Sequence, residues 1–393
     1  MSVYIVSAKR TPIGRFKGAL SSLSATELGS VAVKALLKEQ EIDSKQIDEC
    51  IVGQVLTAGS GQAPARQTAL GAGLDSSTAC VTVNKVCGSG LKAVQMACDS
   101  IQLGRSHLVI AGGQENMSQA PHLLPKARFG APHLGDWPLI DSLLTDGLIN
   151  PYDKKHMGSI GEICAQKYNF SKEEQDAFAK TSFEKTLRAQ EKNWFKEEIA
   201  PVLLESKRGE PIKIDRDEQP SQKDYERIDR ARPIFEKEGT ISAGNASKIN
   251  DGAAFLLLAS EKAVKEHNLE PMACILGQNA FAQDPHWFTT APIHSIHKLI
   301  QQSQLKLEEM DLFEVNEAFS AVALAIAKEV PISQEKLNIH GGAVALGHPI
   351  GASGARILTT LIHALKTHQK RKGIASICLG GGEACSLAVE SLY

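Results

Sequence analysis

The feature that most restricts the fold of this chain is an internal repeat. Two stretches carry the same elements in the same order: an apolar strand, a Gly-x-Ser-Gly-type turn that opens a helix, and an apolar strand that runs into glycines. The matching segments are 47–52, 87–93 and 108–118 in the first stretch, and 310–315, 351–357 and 376–386 in the second. Strands that alternate with glycine-opened helices predict an α/β fold, and the duplication predicts two similar halves that face each other.

A charge-rich stretch separates the two repeats. Residues 119–249 are about twice as dense in charged side chains as the rest of the chain, which is typical of a solvated excursion from apolar flanks. We therefore expect 119–249 to be an inserted domain. The N-terminal half would comprise 1–118 plus 250–270, and the C-terminal half 271–393.

One helix of this insertion is predicted by its start signal. Ser171 and Glu174 have the spacing of a capping box, which is typical of a helix N-terminus. We expect the helix to run from Lys172 to about Asn193. Its face is mixed in polarity, so we expect it to lie on the surface.

The composition excludes several classes of protein. The 393 residues carry a net charge of −2, so no overall field attracts nucleic acid or a membrane surface. No apolar run approaches the ~18 residues that span a bilayer, and the first ten residues predict a strand rather than a targeting segment. The eight cysteines form no C-x-x-C pair, which favours free thiols in a reducing compartment over a metal site. We expect a cytoplasmic protein.

Cys87 is the first candidate for chemistry. A strand-like stretch precedes it, and small residues and a helix follow it. A cysteine at a helix N-terminus is expected to have a lowered pKa, because the free amides and the helix dipole stabilise the thiolate. The alternative is a buried cysteine in a tight turn, and the residues alone leave both interpretations open.

His348 is the second candidate. It precedes Pro349 and a glycine-rich helix start, and a residue before proline is held extended. The glycine spacing fits neither the dinucleotide fingerprint nor a P-loop. A purely structural histidine is the alternative, but the repeat places His348 near the position equivalent to Cys87 in the other half.

Cys378 and Asn316 complete the set. Cys378 ends an apolar strand before three glycines, and Asn316 lies at a strand–helix junction. A core strand end and a helix cap are the respective alternatives. A Cys/His pair suits covalent acyl transfer with a glycine-turn oxyanion hole, and a second thiol suits proton transfer.

Taken together, the motifs resemble the thiolase family, and within it the acetyl-CoA acetyltransferases, over essentially the whole chain. The matching segments are 8–14, 84–90, 112–118, 156–158, 243–247, 250–254, 316–319, 347–354 and 378–383. The resemblance implies a five-layer α/β fold of two similar βαβαβαββ halves. The insertion would be a loop domain that covers the active site, binds CoA and helps to form a homotetramer.

The resemblance also implies a role for each candidate. Cys87 would be the acylated nucleophile, and His348 would take its proton and, with a water held by Asn316, stabilise the enolate. Cys378 would be the base that removes the α-proton of a second acetyl-CoA. The amides of Cys87 and Gly380 would form a second oxyanion hole. Eight further residues would line the substrate pocket: Leu148, His156, Met157, Phe235, Ser247, Phe288, Ala318 and Phe319.

Two residues depart from the family pattern. Lys248 follows Ser247 where a small residue is more usual, and Phe288 lies in a segment near the acyl pocket where relatives have a Met-Gly-x-Gly pattern. A bulky Phe288 is expected to reshape that pocket, which leaves the preferred acyl length open.

The expected reaction is the reversible condensation of two acetyl-CoA molecules to acetoacetyl-CoA and CoA, with CoA thioesters as substrates and no further cofactor. A thiolase of longer 3-ketoacyl-CoA chains shares every catalytic residue. A ketoacyl synthase normally has a histidine where Cys378 lies, and a papain-like protease fits the repeat poorly. The alternative from another class is a non-catalytic acyl-CoA-binding protein on the same fold.

Overall fold

The fold is built on one continuous sheet, seen in a computed structural model that describes residues 2–130, 134–206 and 209–393. The strands are β1 (Val3–Arg10), β2 (Gly14–Arg15), β3 (Glu49–Gly53), β4 (Ala79–Val83), β5 (Leu108–Asn116), β6 (His122–Leu123), β7 (Ile140–Asp141), β8 (Val202–Leu204), β9 (Ile212–Ile214), β10 (Asn250–Ser260), β11 (Ala273–Ala282), β12 (Leu312–Val315), β13 (Lys372–Leu379) and β14 (Glu383–Ser391).

Helices lie on both faces of this sheet, and three of those in the described chain, α4 to α6, belong to the inserted stretch 119–249. They are α1 (Ala25–Gln40), α2 (Pro64–Ala72), α3 (Ser89–Gln102), α4 (Met157–Tyr168), α5 (Lys172–Glu191), α6 (Gln222–Tyr225), α7 (Glu261–Glu266), α8 (Ala291–Gln302), α9 (Ser320–Glu329), α10 (Ala343–Leu346) and α11 (Ile350–Thr367). Among the described residues, no helix is long and apolar enough to cross a membrane.

The strand order repeats, as the sequence predicts. In the first half β3 is parallel to β4 and β5, and β10 is antiparallel to β5 and β1. In the second half β12 is parallel to β13 and, at Phe313 and Leu337, to a short extended segment, while β14 is antiparallel to β13 and β11. Pairing of β1 with β11 joins the two halves.

Helices α3 and α11 form the middle layer, where an apolar cluster joins both halves of the sheet. A methyl group at Gly90 would lie 2.9 Å from the Ala355 nitrogen, and one at Gly354 would lie 2.5 Å from the Leu91 nitrogen. The repeated glycines therefore let the two helix starts approach each other closely.

The outer layers complete the architecture. Helices α1 and α2 pack over the first half of the sheet, and α8 and α9 pack over the second, each with its own apolar cluster. The resulting order of layers is outer helices, the first half of the sheet, the middle helices α3 and α11, the second half of the sheet, and outer helices. The predicted five-layer α/β fold of two similar halves is confirmed.

The inserted stretch 119–249 folds against both halves. Helices α4 and α5 pack on α9. On the other side, the fully buried guanidinium of Arg10 pairs with Glu198 at 2.6 Å and with Asp217 at 2.7 Å. The domain boundaries drawn from charge density stay a prediction.

The capped helix of the insertion is confirmed, and it lies at the surface as expected, with Glu173, Glu184 and Arg188 exposed. Helix α5 begins after Ser171, whose side chain accepts from the Glu174 amide. One face of the helix, including Ala179, Phe183 and Ala189, is buried. Small and apolar residues spaced three or four apart form this stripe. Of the mixed face considered from the sequence, Ser182 is buried in the stripe and Arg188 is exposed.

Candidate active site

Cys87 lies in a tight turn between β4 and α3. The turn is closed by Ser89, whose hydroxyl donates to the Val86 carbonyl at 2.6 Å and accepts from the Lys85 amide at 2.8 Å. Val86 has a φ of 47°, which is a strained conformation for a β-branched residue. The predicted placement of Cys87 at the start of a helix is confirmed, and its role stays a prediction.

The expected lowering of the Cys87 pKa is wrong. Burial raises the pKa of this thiol to about 12, although the amides of Gly380 and of Cys87 itself favour the thiolate. The physical reason is that two amides do not compensate for the loss of water around a thiolate sulfur. A neutral thiol at this position needs a base before it can attack a carbonyl.

The glycine turn after β13 brings Cys378 and Gly380 to Cys87. Cys378 is buried, and burial together with the neighbouring Cys87 raises its pKa well above the ordinary thiol value. The Gly380 amide is directed at the Cys87 sulfur. An ion pair between Lys85 and Glu383 fixes the two turns to each other.

His348 is a neutral imidazole with a defined tautomer. Its Nδ1 lies 2.6 Å from the Ser353 hydroxyl, and that hydroxyl donates to the Pro349 carbonyl at 2.8 Å. Because a hydroxyl has one hydrogen, Ser353 accepts from Nδ1–H and leaves the lone pair on Nε2. Burial, and then Arg356, lower the pKa of His348 to about 3.

Asn316 faces the same nitrogen. Its Nδ2 lies 3.5 Å from His348 Nε2. Asn316 is fully buried, and its Oδ1 has no hydrogen-bond partner among the described residues. A buried amide oxygen without a partner is expected to hold a water or a ligand. The predicted water at Asn316 stays a prediction.

A cavity of about 500 Å³ leads to His348, the one predicted catalytic side chain among the described residues that lines it; Cys87, Cys378 and Asn316 are not part of its wall. Seven of the predicted residues lie in its wall: Leu148, His156, Met157, Phe235, Ser247, Phe319 and His348. The wall is mainly apolar, which suits an acyl or pantetheine group.

The predicted motif at 156–158 forms one side of the cavity. His156 caps α4, since its Nδ1 accepts from the Gly158 amide at 3.0 Å. Its ring stacks on Phe235 with the ring centres 4.8 Å apart. A methyl group at Gly158 would lie 2.4 Å from the Phe235 ring, so only glycine allows this stack.

Two predicted pocket residues lie behind the wall. Ala318 is buried, and its carbonyl accepts from the Ser247 amide at 3.0 Å. Phe288 is 2% exposed and packs edge-on against Phe319, with the ring centres 6.5 Å apart. In the described part of the chain, Phe319 rather than Phe288 lines the cavity, and Phe288 packs behind it. The effect of Phe288 on pocket shape and acyl length stays a prediction.

Sequence reasoning missed two residues of this site. Ser353 is one, although it belongs to the repeated glycine turn. The other is Glu115, which accepts from the amides of Val55, Leu56 and Gly351 at 3.0–3.1 Å. Burial raises the pKa of Glu115 to about 7. The described residues contain no cluster of three or more His, Cys, Asp or Glu side chains that would hold a metal ion.

Comparison with known families decides the class of the protein. The family "Thiolase, N-terminal domain" matches residues 3–262, and "Thiolase, C-terminal domain" matches residues 269–391. The chain belongs to the thiolase family.

Individual thiolases resemble this one along their whole length. An acetyl-CoA acetyltransferase of Allochromatium vinosum is 46% identical and aligns over 100% of this chain and 99% of its own. Acetyl-CoA acetyltransferase 1 of Arabidopsis thaliana is 48% identical over 99% of this chain and 94% of its own.

Solved structures agree with the fold. The crystal structure of the Bacillus anthracis acetyl-CoA acetyltransferase is 37% identical and has a TM-score of 0.96, with coverage of 100% of this chain and 99% of that one. A thiolase from Ascaris suum in complex with coenzyme A is 42% identical and has a TM-score of 0.94, with both chains fully covered.

Proposed function

We propose that this thiolase is an acetyl-CoA C-acetyltransferase, which condenses two acetyl-CoA molecules reversibly to acetoacetyl-CoA and CoA. The observation that carries the proposal is the pairing of two neutral thiols, Cys87 and Cys378, in one site with a neutral His348. The names of the relatives from Allochromatium vinosum and Arabidopsis thaliana support this activity, and the CoA complex of the Ascaris suum thiolase supports CoA as the carrier.

The first half-reaction would acetylate Cys87. His348 Nε2, which carries the lone pair, takes the thiol proton, and the Cys87 sulfur attacks the carbonyl of acetyl-CoA. The tetrahedral oxygen accepts from the amides of Cys87 and Gly380. The C–S bond to CoA then breaks, and the departing CoA thiolate takes the proton of Cys378.

The second half-reaction would form the carbon–carbon bond. The Cys378 thiolate removes an α-proton from a second acetyl-CoA. The protonated His348 and a water on Asn316 stabilise the enolate oxygen. The enolate carbon attacks the acetyl-cysteine carbonyl, and the Cys87 sulfur leaves and recovers its proton. A raised pKa keeps Cys378 protonated until the departing CoA thiolate takes its proton, and it makes the resulting Cys378 thiolate a strong base in the second half.

We also propose that four copies assemble and that the enzyme works in the cytoplasm. Support for assembly comes from the insertion, where Phe129 is 90% exposed and Leu134 is 95% exposed. Large apolar side chains this exposed favour a contact with another chain. Support for the cytoplasm comes from the eight cysteines, all of which are free.

The test is CoA-dependent thiolysis of acetoacetyl-CoA beside a long-chain 3-ketoacyl-CoA, with Cys87→Ser as the control. Selective cleavage of acetoacetyl-CoA that is lost in Cys87→Ser is expected. Preference for the long chain would make the protein a fatty-acid thiolase instead. Cleavage of neither substrate by a protein that still binds CoA would favour the non-catalytic binding protein.

A further inference from the structure

Lys248 brings an ammonium group to the wall of the substrate cavity, directly after Ser247. Its Nζ donates to two backbone carbonyls, those of Ala246 and, at 3.4 Å, Val344. In the part of the chain that the structure describes, no carboxylate forms an ion pair with it. Asp224 and Glu317 act on it only at longer range.

The Val344 carbonyl belongs to α10, which is a single turn of helix from Ala343 to Leu346. The Gly347 amide donates to the Ala343 carbonyl at 2.9 Å. One more helical residue would direct the His348 amide to the Val344 carbonyl, but that amide donates instead to Asn250 Oδ1 at 3.0 Å. Lys248 Nζ supplies the missing donor at 3.4 Å, so this carbonyl does not remain unpaired. The Val344 amide in turn donates to Glu317 at 3.1 Å, so charged side chains hold Val344 at both ends.

The other carbonyl belongs to the turn that forms the cavity wall. Ala246 pairs with Phe319 in a short bridge, and the Ser247 amide donates to the Ala318 carbonyl. Ala246, Ser247 and Lys248 all line the cavity. The lysine thus joins the substrate wall to a helix that ends two residues before His348.

We propose that Lys248 is a positioning residue for CoA substrates, whose ammonium holds the cavity turn at 243–249 against α10. The inference rests on the proposed function. The link fixes the wall that contains Ser247 relative to His348, so its loss weakens substrate binding more than it slows the chemistry.

The charge of the ammonium gives the proposal a pH signature. Burial lowers the pKa of Lys248 to about 8, and charge-assisted hydrogen bonds are stronger than neutral ones. Above that pH the amine becomes neutral, and the tie weakens. The charged or titratable groups that face it are Asp224 and Glu317, together with Arg15, His156 and His348 in the same cavity wall.

The experiment is calorimetric titration of the full-length protein with CoA at pH 7 and pH 9. The variants are Lys248→Met, which keeps the length without the charge, and Lys248→Arg, which keeps the charge. Lys262→Met, which removes an exposed ammonium, is the matched control. Any titration of CoA itself appears in all four proteins alike.

At pH 7, Lys248→Met is expected to bind CoA about fivefold to tenfold more weakly, because the charge-assisted hydrogen bonds that join the Ala246 and Val344 carbonyls are lost. The wild type should approach that affinity at pH 9, while Lys248→Arg should bind tightly at both values. In thiolysis, the KM of Lys248→Met should rise more than its kcat falls.

Equal CoA affinity of wild type and Lys248→Met, or the same pH dependence in both, would overturn the positioning role. If Lys248→Met fails to fold, a loss of wild-type CoA affinity between pH 7 and pH 9 that Lys248→Arg lacks still decides the question. CoA binding with the expected pH signature but no thiolysis would refute only the proposed function. No CoA binding by the wild type would overturn both.

Discussion

The two repeated helix starts carry a serine at the equivalent position, and the two serines have different hydrogen-bond partners. At the start of α3, Ser89 donates to the backbone and accepts from the Lys85 amide, so that it closes the turn that presents Cys87. At the start of α11, Ser353 also donates to the backbone, but it accepts from the imidazole of His348. Duplication supplied two similar helix starts, and a change of one hydrogen-bond donor separated a nucleophile turn from a base turn.

The largest expected effect concerns the two thiols, which come from opposite halves. Cys87→Ser and Cys378→Ser should each lose thiolysis by a factor on the order of 10³ or more, as for removal of other catalytic groups. Steady-state cleavage of acetoacetyl-CoA measures this loss. Cys385→Ser, which changes a buried cysteine outside the proposed mechanism, is the control. Substantial activity in Cys378→Ser would show that Cys378 is not the base that removes the α-proton.

Substitution of Asn316 should give the next largest loss of activity. Asn316→Ala removes the side chain proposed to hold the water that stabilises the enolate, and the loss of one enolate donor is expected to lower kcat by roughly 10²–10³. The KM for acetoacetyl-CoA should change much less. A comparable fall in binding with kcat intact would show that Asn316 contacts the ground state rather than the enolate.

The two serines test the comparison directly. Ser353→Ala frees the Nδ1–H of His348, and loss of such an orienting partner is expected to cost about 10–100-fold in kcat. Ser89→Ala leaves the Lys85 amide without its partner, so we expect a stability loss of about 1–2 kcal/mol and a smaller effect on kcat. Rates and denaturant unfolding of both variants provide the measurement. Equal rate losses would contradict the division of roles.

The smallest effect concerns Glu115, which joins the first half to Gly351 of the second. Burial raises its pKa from 4.5 to about 7, so the folded protein keeps a proton that the unfolded chain loses. Its contribution to stability is therefore present below pH 4.5 and is lost as the pH rises through 7. Glu115→Gln should reduce the fall in unfolding free energy between pH 5 and pH 7.5. An unchanged pH dependence of the unfolding free energy in Glu115→Gln would contradict the raised pKa of Glu115.

Much of the fold was predictable because the repeat is local in sequence. Strand, glycine turn and helix recur in order, and the positions of Cys87 and His348 follow from them. Helix α5 was predictable from its cap alone. Its buried face was not, because burial depends on which element packs against it.

The unpredicted part of the site depends on tertiary contacts. Ser353 lies in a recognised motif, but its bond to His348 appears only when the backbone turns back at Pro349. The raised pKa of Cys87 was missed for a similar reason: the helix start is visible in sequence, whereas the exclusion of water is not. Lys248 was visible as a departure, yet its partner Val344 is 96 residues away.

The most direct test of the account is the location of the acetyl group. Peptide mass spectrometry would follow brief incubation of wild type, Cys87→Ser and Cys378→Ser with acetyl-CoA. One acetyl group on the Cys87 peptide of the wild type and of Cys378→Ser, and none on Cys87→Ser, is the predicted result. Acetylation of Cys378 or of another residue in place of Cys87, or an equally labelled Cys87→Ser protein, would contradict the division of the two thiols into nucleophile and base.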